Sequence, residues 1–311
     1  MEATLRWVLI TAIAPVAWGT NYFVTHAYLP AGHPLYGAAI RALPAGLLLL
    51  AVRRERPRGS WWWKSPVLGA LNMGGFFALV YVAAQLLPTS TASTVMATSP
   101  LVMMLIAWAL LAERPRLLPL AGAAVGLGGV SLMLLSGTAS ADTRGVLASV
   151  AAMLMSSLGY VLAKRWGKDV DVLASTAWQL IAGGLLLLPF AVFVEGAPPA
   201  LDGPAALGFG YVTVVATALA FGAWFAGLRH LPAATVGLVG LLNPVAGVLL
   251  GTVIAGESLT LRQLCGLALV LGGILLGRPA GGRRAVGPVS GLRAASPSTP
   301  VRPPASPRSP K

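Results

Sequence analysis

Charged side chains are scarce in this 311-residue chain: Asp and Glu number nine together, and charged residues of both signs make up only 10%. Soluble domains typically carry about 25% charged residues, which keep their surfaces hydrated. Hydrophobic residues account for 56% of the chain, and the mean hydropathy is +0.78. The composition therefore excludes an ordinary soluble domain and predicts an integral membrane protein.

The side chains on which membrane enzymes and metal sites depend are also few. Every Asp lies in a predicted loop, and no His has the spacing of a metal ligand. The aspartates are Asp142, Asp169, Asp171 and Asp202, and the histidines are His26, His33 and His230. No Gly-rich phosphate loop is present, which argues against ATP-driven pumping. The sequence thus predicts no catalytic residue, no metal and no cofactor, and its single cysteine, Cys265, allows no internal disulfide.

Ten hydrophobic runs of roughly 17 to 25 residues are each long enough to cross a hydrocarbon core of ~30 Å as a helix. The runs do not alternate as barrel strands would. They cover residues 5–27, 34–52, 65–86, 91–112, 117–136, 144–163, 173–194, 204–228, 233–255 and 260–277. We therefore predict an all-α integral membrane fold with ten transmembrane helices.

The chain contains its own half twice. At an offset of 144 residues, Pro100 falls on Pro244 and Glu113 falls on Glu257, while an offset of 138 pairs Tyr22 with Tyr160. Because five spans per half is an odd number, the second half must enter the membrane in the opposite sense. We predict two inverted five-helix repeats, 1–138 and 139–277, with binding sites where the halves meet.

The formal charge of +13 is unevenly distributed. If the N-terminus is cytoplasmic, only Arg144 and Arg262 face outward and Arg41 lies within a span, while the other 19 of the 22 Lys and Arg residues lie on the cytoplasmic side. This asymmetry follows the positive-inside rule, predicts cytoplasmic termini, and explains the charge without nucleic acid. Residues 278–311 lack acidic groups and are predicted to form a disordered basic cytoplasmic tail, which could also contact anionic lipid.

Arg41 lies in the second span, where a charge is costly unless it faces a cavity or a partner. It either serves function, or extends to the membrane surface or pairs with backbone carbonyls that Pro44 frees. Its repeat equivalent is Gln179, so the position is polar in both halves. Pro100 and Pro244 interrupt matched spans and are predicted either to act in gating or to form static kinks.

Amphipathic side chains recur in mid-span. Aromatic walls with a few amides suit a small amphipathic or zwitterionic solute, although packing is the alternative for any single aromatic residue. Glu113 and Glu257 end spans, where helix capping is the simpler interpretation and proton coupling the alternative. A small-residue face around Gly122, Gly126 and Gly129 fits close packing within the monomer, with a homodimer contact as the alternative.

These residues resemble a known family. The segment 18–22 (WGTNY), Arg41, and the duplicated pattern of Pro, Glu and Gly-Gly at 100–129 and 244–273 resemble the EamA-type drug/metabolite transporter superfamily. The phrases at 39–50 and 176–184 are similar to the bacterial amino-acid-metabolite and pigment exporter branch. The resemblance covers residues 5–277 and implies a ten-helix inverted-repeat carrier of the bacterial inner membrane.

The resemblance also implies roles for individual residues. It favours a cavity lined by Trp18, Asn21, Tyr22, Asn72, Tyr81, Tyr160, Trp224 and Asn243 as substrate-binding residues. It places the helix of Arg41 outside the six helices that line the central cavity. Bracing a gate is therefore as good an interpretation of Arg41 and Gln179 as binding the substrate. The leading hypothesis is a secondary transporter that exports amino acids or related metabolites by alternating access, and the alternative is a non-transporting sensor or scaffold that acts through its basic tail.

Overall fold

A computed structural model describes residues 2–28, 30, 32–87, 89–134, 142–255 and 260–277. Within these ranges the chain is helical and contains no β-strand. The helices are α1 (Glu2–Tyr28), α2 (Pro34–Arg53), α3 (Trp61–Gly69), α4 (Gly75–Leu86), α5 (Thr89–Met96), α6 (Ser99–Leu111), α7 (Leu117–Leu134), α8 (Thr143–Trp166), α9 (Val172–Glu195), α10 (Gly203–Thr213), α11 (Ala220–His230), α12 (Ala233–Gly240), α13 (Leu242–Ala255) and α14 (Leu261–Leu276).

Nine helical stretches of the described chain are long and apolar enough to cross a membrane. A further apolar helix, α14, has 16 residues and is therefore about 24 Å long. Four of the nine stretches are divided: α3 with α4, α5 with α6, α10 with α11, and α12 with α13. The predicted all-α membrane fold is confirmed, and these divisions are the features that hydrophobic length alone does not show.

Two of the divisions are π-helical segments. Ala70–Gly74 joins α3 to α4, and Val214–Leu219 joins α10 to α11. Val214 follows Ala70 by 144 residues, which is the offset of the sequence repeat. A π-helical turn shifts the backbone hydrogen bonds from i→i−4 to i→i−5 and is frequent at functional sites. We call these the first and second π segments.

The other two divisions are breaks that precede the matched prolines. Helix α5 ends at Met96 and α12 ends at Gly240, again 144 residues apart. The following helices begin at Ser99 and Leu242, so Pro100 and Pro244 occupy their first turns. Proline is tolerated there because its missing N–H has no partner in the first turn. The irregularity therefore lies before each proline rather than at it.

The packing pairs form an exchange pattern. Helix α1 packs against α11 and α13, while α8 packs against α4 and α6; α2 packs against α9, and α7 packs against α14. If each helix is replaced by its counterpart in the other half, the pair α1 with α11 becomes α8 with α4, and the pair α1 with α13 becomes α8 with α6. The pairs α2 with α9 and α7 with α14 each join a helix to its own counterpart. In each of these pairs a helix of one half packs against a helix of the other half.

Helices α7 and α14 meet through glycine. A Cβ atom added to Gly129 would lie 2.6 Å from the carbonyl oxygen of Gly266, and one added to Gly266 would lie 2.6 Å from that of Gly129. No side chain fits between backbones that are so close. The small-residue face therefore serves packing within the monomer, as its simpler interpretation predicted.

Acidic residues of the loops cap helices. Asp142, Asp171 and Asp202 are N-cap residues whose carboxylates accept hydrogen bonds from the first turns of α8, α9 and α10. Glu195 accepts from the backbone N–H groups of Leu35 and Tyr36, at 2.6 and 2.9 Å, and so caps α2 from a distant part of the chain. Three sequence predictions fall outside the described residues: the 138/139 boundary, Glu257, and the tail at 278–311.

Candidate functional site

Arg41 is buried between α1, α4 and the second π segment. Its Nε donates to Thr217 Oγ1 at 2.8 Å, and its Nη2 donates to the carbonyl oxygen of Ala216 at 2.9 Å. Its Nη1 donates to Asn21 Oδ1 at 3.2 Å, and the guanidinium carbon lies 5.6 Å from the ring centroid of Phe77. The side chain therefore lies at the interface of the two halves, where α2 itself packs against α9 of the second half.

The π segment makes these acceptors available. Thr217 Oγ1 donates to the carbonyl oxygen of Val212 at 2.7 Å, an i−5 bond that satisfies a carbonyl beside the irregular turn. The Ala216 carbonyl also accepts from Trp18 Nε1, at 3.1 Å. A carbonyl oxygen has two lone pairs, so one Ala216 oxygen can accept from both Arg41 and Trp18. The irregular backbone is thus a fixed acceptor for two predicted site residues.

A second buried polar pair occupies the corresponding position of the other half. Asn72, in the first π segment, donates from Nδ2 to Gln179 Oε1 at 2.9 Å, and Gln179 Nε2 donates to the carbonyl oxygen of Ser175 at 3.1 Å. Asn72 Oδ1 is buried and has no hydrogen-bond partner among the described residues. The offsets of 144 and 138 carry Asn72 onto Ala216 and Arg41 onto Gln179. Each half therefore joins its second helix to the π segment of the other by polar groups.

Five aromatic side chains form a cluster between α1, α8 and α11: Trp18, Tyr160, Phe221, Trp224 and Phe225. The ring centroid of Trp224 lies 5.3 Å from that of Trp18 and 5.4 Å from that of Tyr160. Phe221 and Phe225 extend the cluster along α11. The indole Nε1 of Trp224 is buried and finds no acceptor among the described residues. We call these five residues the aromatic cluster.

The remaining predicted site residues do not belong to this cluster. Tyr81 is half-buried and packs with Leu35 and Tyr36 near the start of α2. Asn243 is half-buried in the first turn of α13, where its carbonyl oxygen faces α1. Pro100 is buried against α12. The backbone of Tyr22 belongs to α1, but its side chain lies outside the described part of the structure.

An ion pair ties three helix ends together at one end of the unit. Glu113 Oε1 lies 2.5 Å from Lys164 Nζ, and Glu113 Oε2 accepts from the backbone N–H of Ala233 at 2.9 Å. Lys164 Nζ also donates to the carbonyl oxygen of Leu231 at 2.6 Å. Glu113 therefore caps α12 rather than its own helix. We call this set of contacts the Glu113 latch.

Two cavities adjoin the latch. A groove of about 440 Å³ lies between the ends of α6 and α8 and is lined by Glu113, Lys164, Arg165 and Lys168 with apolar residues of α6. A smaller cavity of about 80 Å³ reaches inward from Lys164 to Gln179 and Phe225. Solute sites usually occupy ~300–1,000 Å³, so the inner cavity has room for water rather than for a metabolite.

Sequence reasoning missed Thr217, Phe221 and Phe225. A threonine and two phenylalanines are ordinary residues of an apolar span, so residue type alone does not mark them as site residues. The repeat held a usable signal for Thr217, because Asn72 shifted by 144 residues falls on its neighbour Ala216. For the two phenylalanines the signal is weaker: Phe221 stands three positions before Trp224 and four before Phe225, and side chains at these spacings are neighbours on a helix surface.

Comparison with known proteins agrees with this architecture. The EamA-like transporter family matches the chain twice, at residues 5–135 and 143–277. The protein PecM of Dickeya dadantii is 35% identical over 85% of this chain and 89% of its own length. The inner membrane transporter YedA of Escherichia coli K12 is 28% identical over 84% of this chain and 87% of its own length.

A solved crystal structure supports the fold. It superposes with a TM-score of 0.77 over 88% of this chain and 97% of the other, at 23% identity, a level that bears on fold alone. The two family matches together cover most of the helical part of the chain. Taken with the membrane-length helices and the interface of the two halves, they show that this chain is a membrane transporter that belongs to the EamA-like transporter family.

Proposed function

We propose that this protein is a secondary transporter that exports small organic metabolites, amino acids and related compounds first, by alternating access. The observation that carries the proposal is the placement of Arg41, the aromatic cluster and the Asn72–Gln179 pair where the two halves pack together. Carriers built from internal repeats bind their solutes at such interfaces. Aromatic faces supply contact area, and the few polar groups orient the solute.

The architecture proposed is ten transmembrane helices in two inverted repeats. The reciprocal packing pairs, the π segments and the breaks at one offset, and the double family match all support two equivalent halves. Helix α14 counts as the tenth crossing, since about 24 Å is close to the ~30 Å hydrocarbon core and a short helix can thin the bilayer around it.

The proposed location is the bacterial inner membrane with both termini in the cytoplasm. The excess of Lys and Arg on one side supports this orientation, and the name of the relative YedA supports the membrane. The Glu113 latch then lies at the cytoplasmic end. The partners expected are a small-molecule solute and the surrounding lipid.

In the proposed mechanism the Glu113 latch holds the cytoplasmic end closed. Phe225 lines the smaller cavity together with Lys164 and packs against Tyr160, with ring centroids 6.0 Å apart. Rocking of one repeat against the other would separate Glu113, in the first repeat, from Lys164 and Ala233 in the second, and so break the latch. The breaks before Pro100 and Pro244 and the two π segments are the irregular points at which helices can bend with the least loss of hydrogen bonds.

Untargeted profiling of intracellular and external metabolites tests the proposal. Cells that express the chain are compared with cells that express an equally abundant Asn21→Ala/Trp224→Ala variant and with cells that express Trp108→Ala. Trp108 is 54% exposed on α6, away from the aromatic cluster, and serves as the matched tryptophan control. We expect one compound class to accumulate outside the wild-type and Trp108→Ala cells alone. Identical profiles in all three strains would contradict export.

A further inference from the structure

We propose that the transported solute carries a carboxylate group and that this carboxylate pairs with Arg41 in the membrane. The inference rests on the proposed transport function and adds to it the charge of the solute and the residue that recognises it. It starts from the electrostatics of Arg41, whose burial and hydrogen bonds are described above.

The acceptors around Arg41 are all neutral. They are a hydroxyl, a side-chain amide and a backbone carbonyl, and they leave the full positive charge of the guanidinium in place. Among the described residues the ion pairs are Arg53 with Asp171 and Lys164 with Glu113, and neither includes Arg41. A charge removed from water is expensive unless an opposite charge joins it. The buried charge of Arg41 would therefore be stabilised by an anion, and the described part of the protein supplies none.

The guanidinium group of Arg41 has N–H donors with which to bind an anion. It carries five N–H groups, of which three donate to Thr217, Asn21 and Ala216. Two N–H groups remain for a ligand, and a carboxylate is the acceptor that matches a guanidinium edge. Trp18 bonds to the same Ala216 carbonyl and packs against Trp224, whose buried Nε1–H also lacks an acceptor in the described structure.

The other half of the protein shows that the architecture does not require this charge. Gln179 occupies the position equivalent to Arg41 and joins α9 to the first π segment through Asn72, with no charged group. A neutral amide side chain therefore suffices for this connection in the other half. The charge of Arg41 is an addition to such a connection, which assigns it to a ligand rather than to the fold.

A single cation also limits the anion. One guanidinium neutralises one carboxylate, so the bound pair carries no net charge inside the membrane. A phosphate monoester carries nearly two negative charges at neutral pH and would leave one without a partner. The aromatic cluster is apolar on its faces and suits a hydrocarbon or aromatic remainder. The solute class inferred is a small amphipathic compound that carries one carboxylate.

Four related probes test the inference with the purified full-length chain: L-phenylalanine, L-phenylalaninamide, N-acetyl-L-phenylalanine and N-acetyl-L-phenylalaninamide. They combine the presence or absence of the carboxylate with that of the amine. Binding is measured through tryptophan fluorescence. Because loss of one partner of a buried charge pair costs ~2 kcal/mol or more, we expect each carboxylate to bind the wild type at least about 30-fold more tightly than its amide.

Variants separate binding from structure. Arg41→Gln should reduce the carboxylate preference to near unity while the melting temperature stays near that of the wild type, and Arg41→Lys should retain part of the preference. Arg53→Gln removes an arginine that pairs with Asp171 at the surface and should leave the preference unchanged. An undiminished preference in Arg41→Gln, equal affinity of the wild type for acids and amides, or no binding of either carboxylate at millimolar concentration would each overturn the proposal.

The export profile distinguishes this failure from failure of the proposed function. Export of compounds that lack an anionic group, with Arg41→Gln as active as the wild type, would sustain transport and overturn the carboxylate assignment. Binding selectivity that depends on Arg41 without any export would sustain the carboxylate site and overturn transport.

Discussion

Replacing Glu113 with Ala should loosen the end of the protein at which α6, α8 and the α11–α12 connection meet. The substitution removes the 2.5 Å ion pair with Lys164 and the hydrogen bond that caps α12 at Ala233. Lys164 keeps its hydrogen bond to the Leu231 carbonyl, so the latch is weakened rather than abolished. The rest of the interface between the halves is untouched by this change.

The magnitude follows from these two contacts. Loss of a helix cap costs about 1 kcal/mol, and an ion pair of partly exposed side chains contributes up to about 1 kcal/mol. The side chains of Lys164 and Glu113 are 15% and 28% exposed, which places the pair toward the upper part of that range. A total of about 2 kcal/mol shifts the ratio of closed to open forms roughly 30-fold.

Distances between spin labels measure this shift. Labels at Arg116 and Arg165, which are both exposed and lie on the two sides of the latch, report its separation in a Cys265→Ser background, since Cys265 is exposed. The wild type should show one dominant short distance, and Glu113→Ala should add a longer one. Glu195→Ala is the matched control. Glu195 also caps a helix that is distant in the chain, but that helix is α2, which is not part of the Glu113 latch.

Two outcomes would refute the reasoning. An unchanged distance distribution in Glu113→Ala would mean that the ion pair and the cap do not hold this end closed. A shift of equal size in Glu195→Ala would mean that loss of any carboxylate cap loosens the bundle, and that the Glu113 latch has no particular role.

Two further pairs of substitutions follow from the packing. Trp18→Phe removes an indole donor that bonds to the second π segment and should lower the melting temperature, whereas Trp224→Phe removes a donor without a described acceptor and should lower export with little effect on melting. Gly129→Ala inserts a methyl group against the backbone of α14 and should destabilise by about 1–3 kcal/mol. Gly128→Ala has open space and should be nearly neutral in the same thermal assay, and equal effects of the two alanines would contradict the packing described.

The helices were predictable because hydrophobic length is a local property of the chain. The second span, predicted at 34–52, is observed as Pro34–Arg53. The third span begins earlier than its predicted start at 65, because Trp61 is buried and extends the helix beyond the strictly apolar run. Pro100 and Pro244 marked two interrupted spans but not the point of irregularity, since a proline fits the first turn of a helix and the break falls before it.

The site was less accessible from the sequence. Trp18, Tyr160 and Trp224 were predicted, and they meet in one cluster, but the partners of Arg41 depend on a π segment that no residue type marks. The resemblance places the helix of Arg41 outside the helices that line the cavity, yet its long side chain reaches Asn21 and Thr217. Distances across the bundle, rather than helix membership, decide which residues share a site.

The measurement that tests the central claim most directly uses liposomes that contain the purified full-length chain and are loaded with a small-molecule extract of bacterial cells. Mass spectrometry follows the loss of each compound, with protein-free liposomes and liposomes containing Asn21→Ala/Trp224→Ala as references. Transport across the interface of the two halves predicts that one class of small metabolites leaves the wild-type liposomes faster than both references. Release from wild-type liposomes that matches the protein-free liposomes for every compound would contradict it.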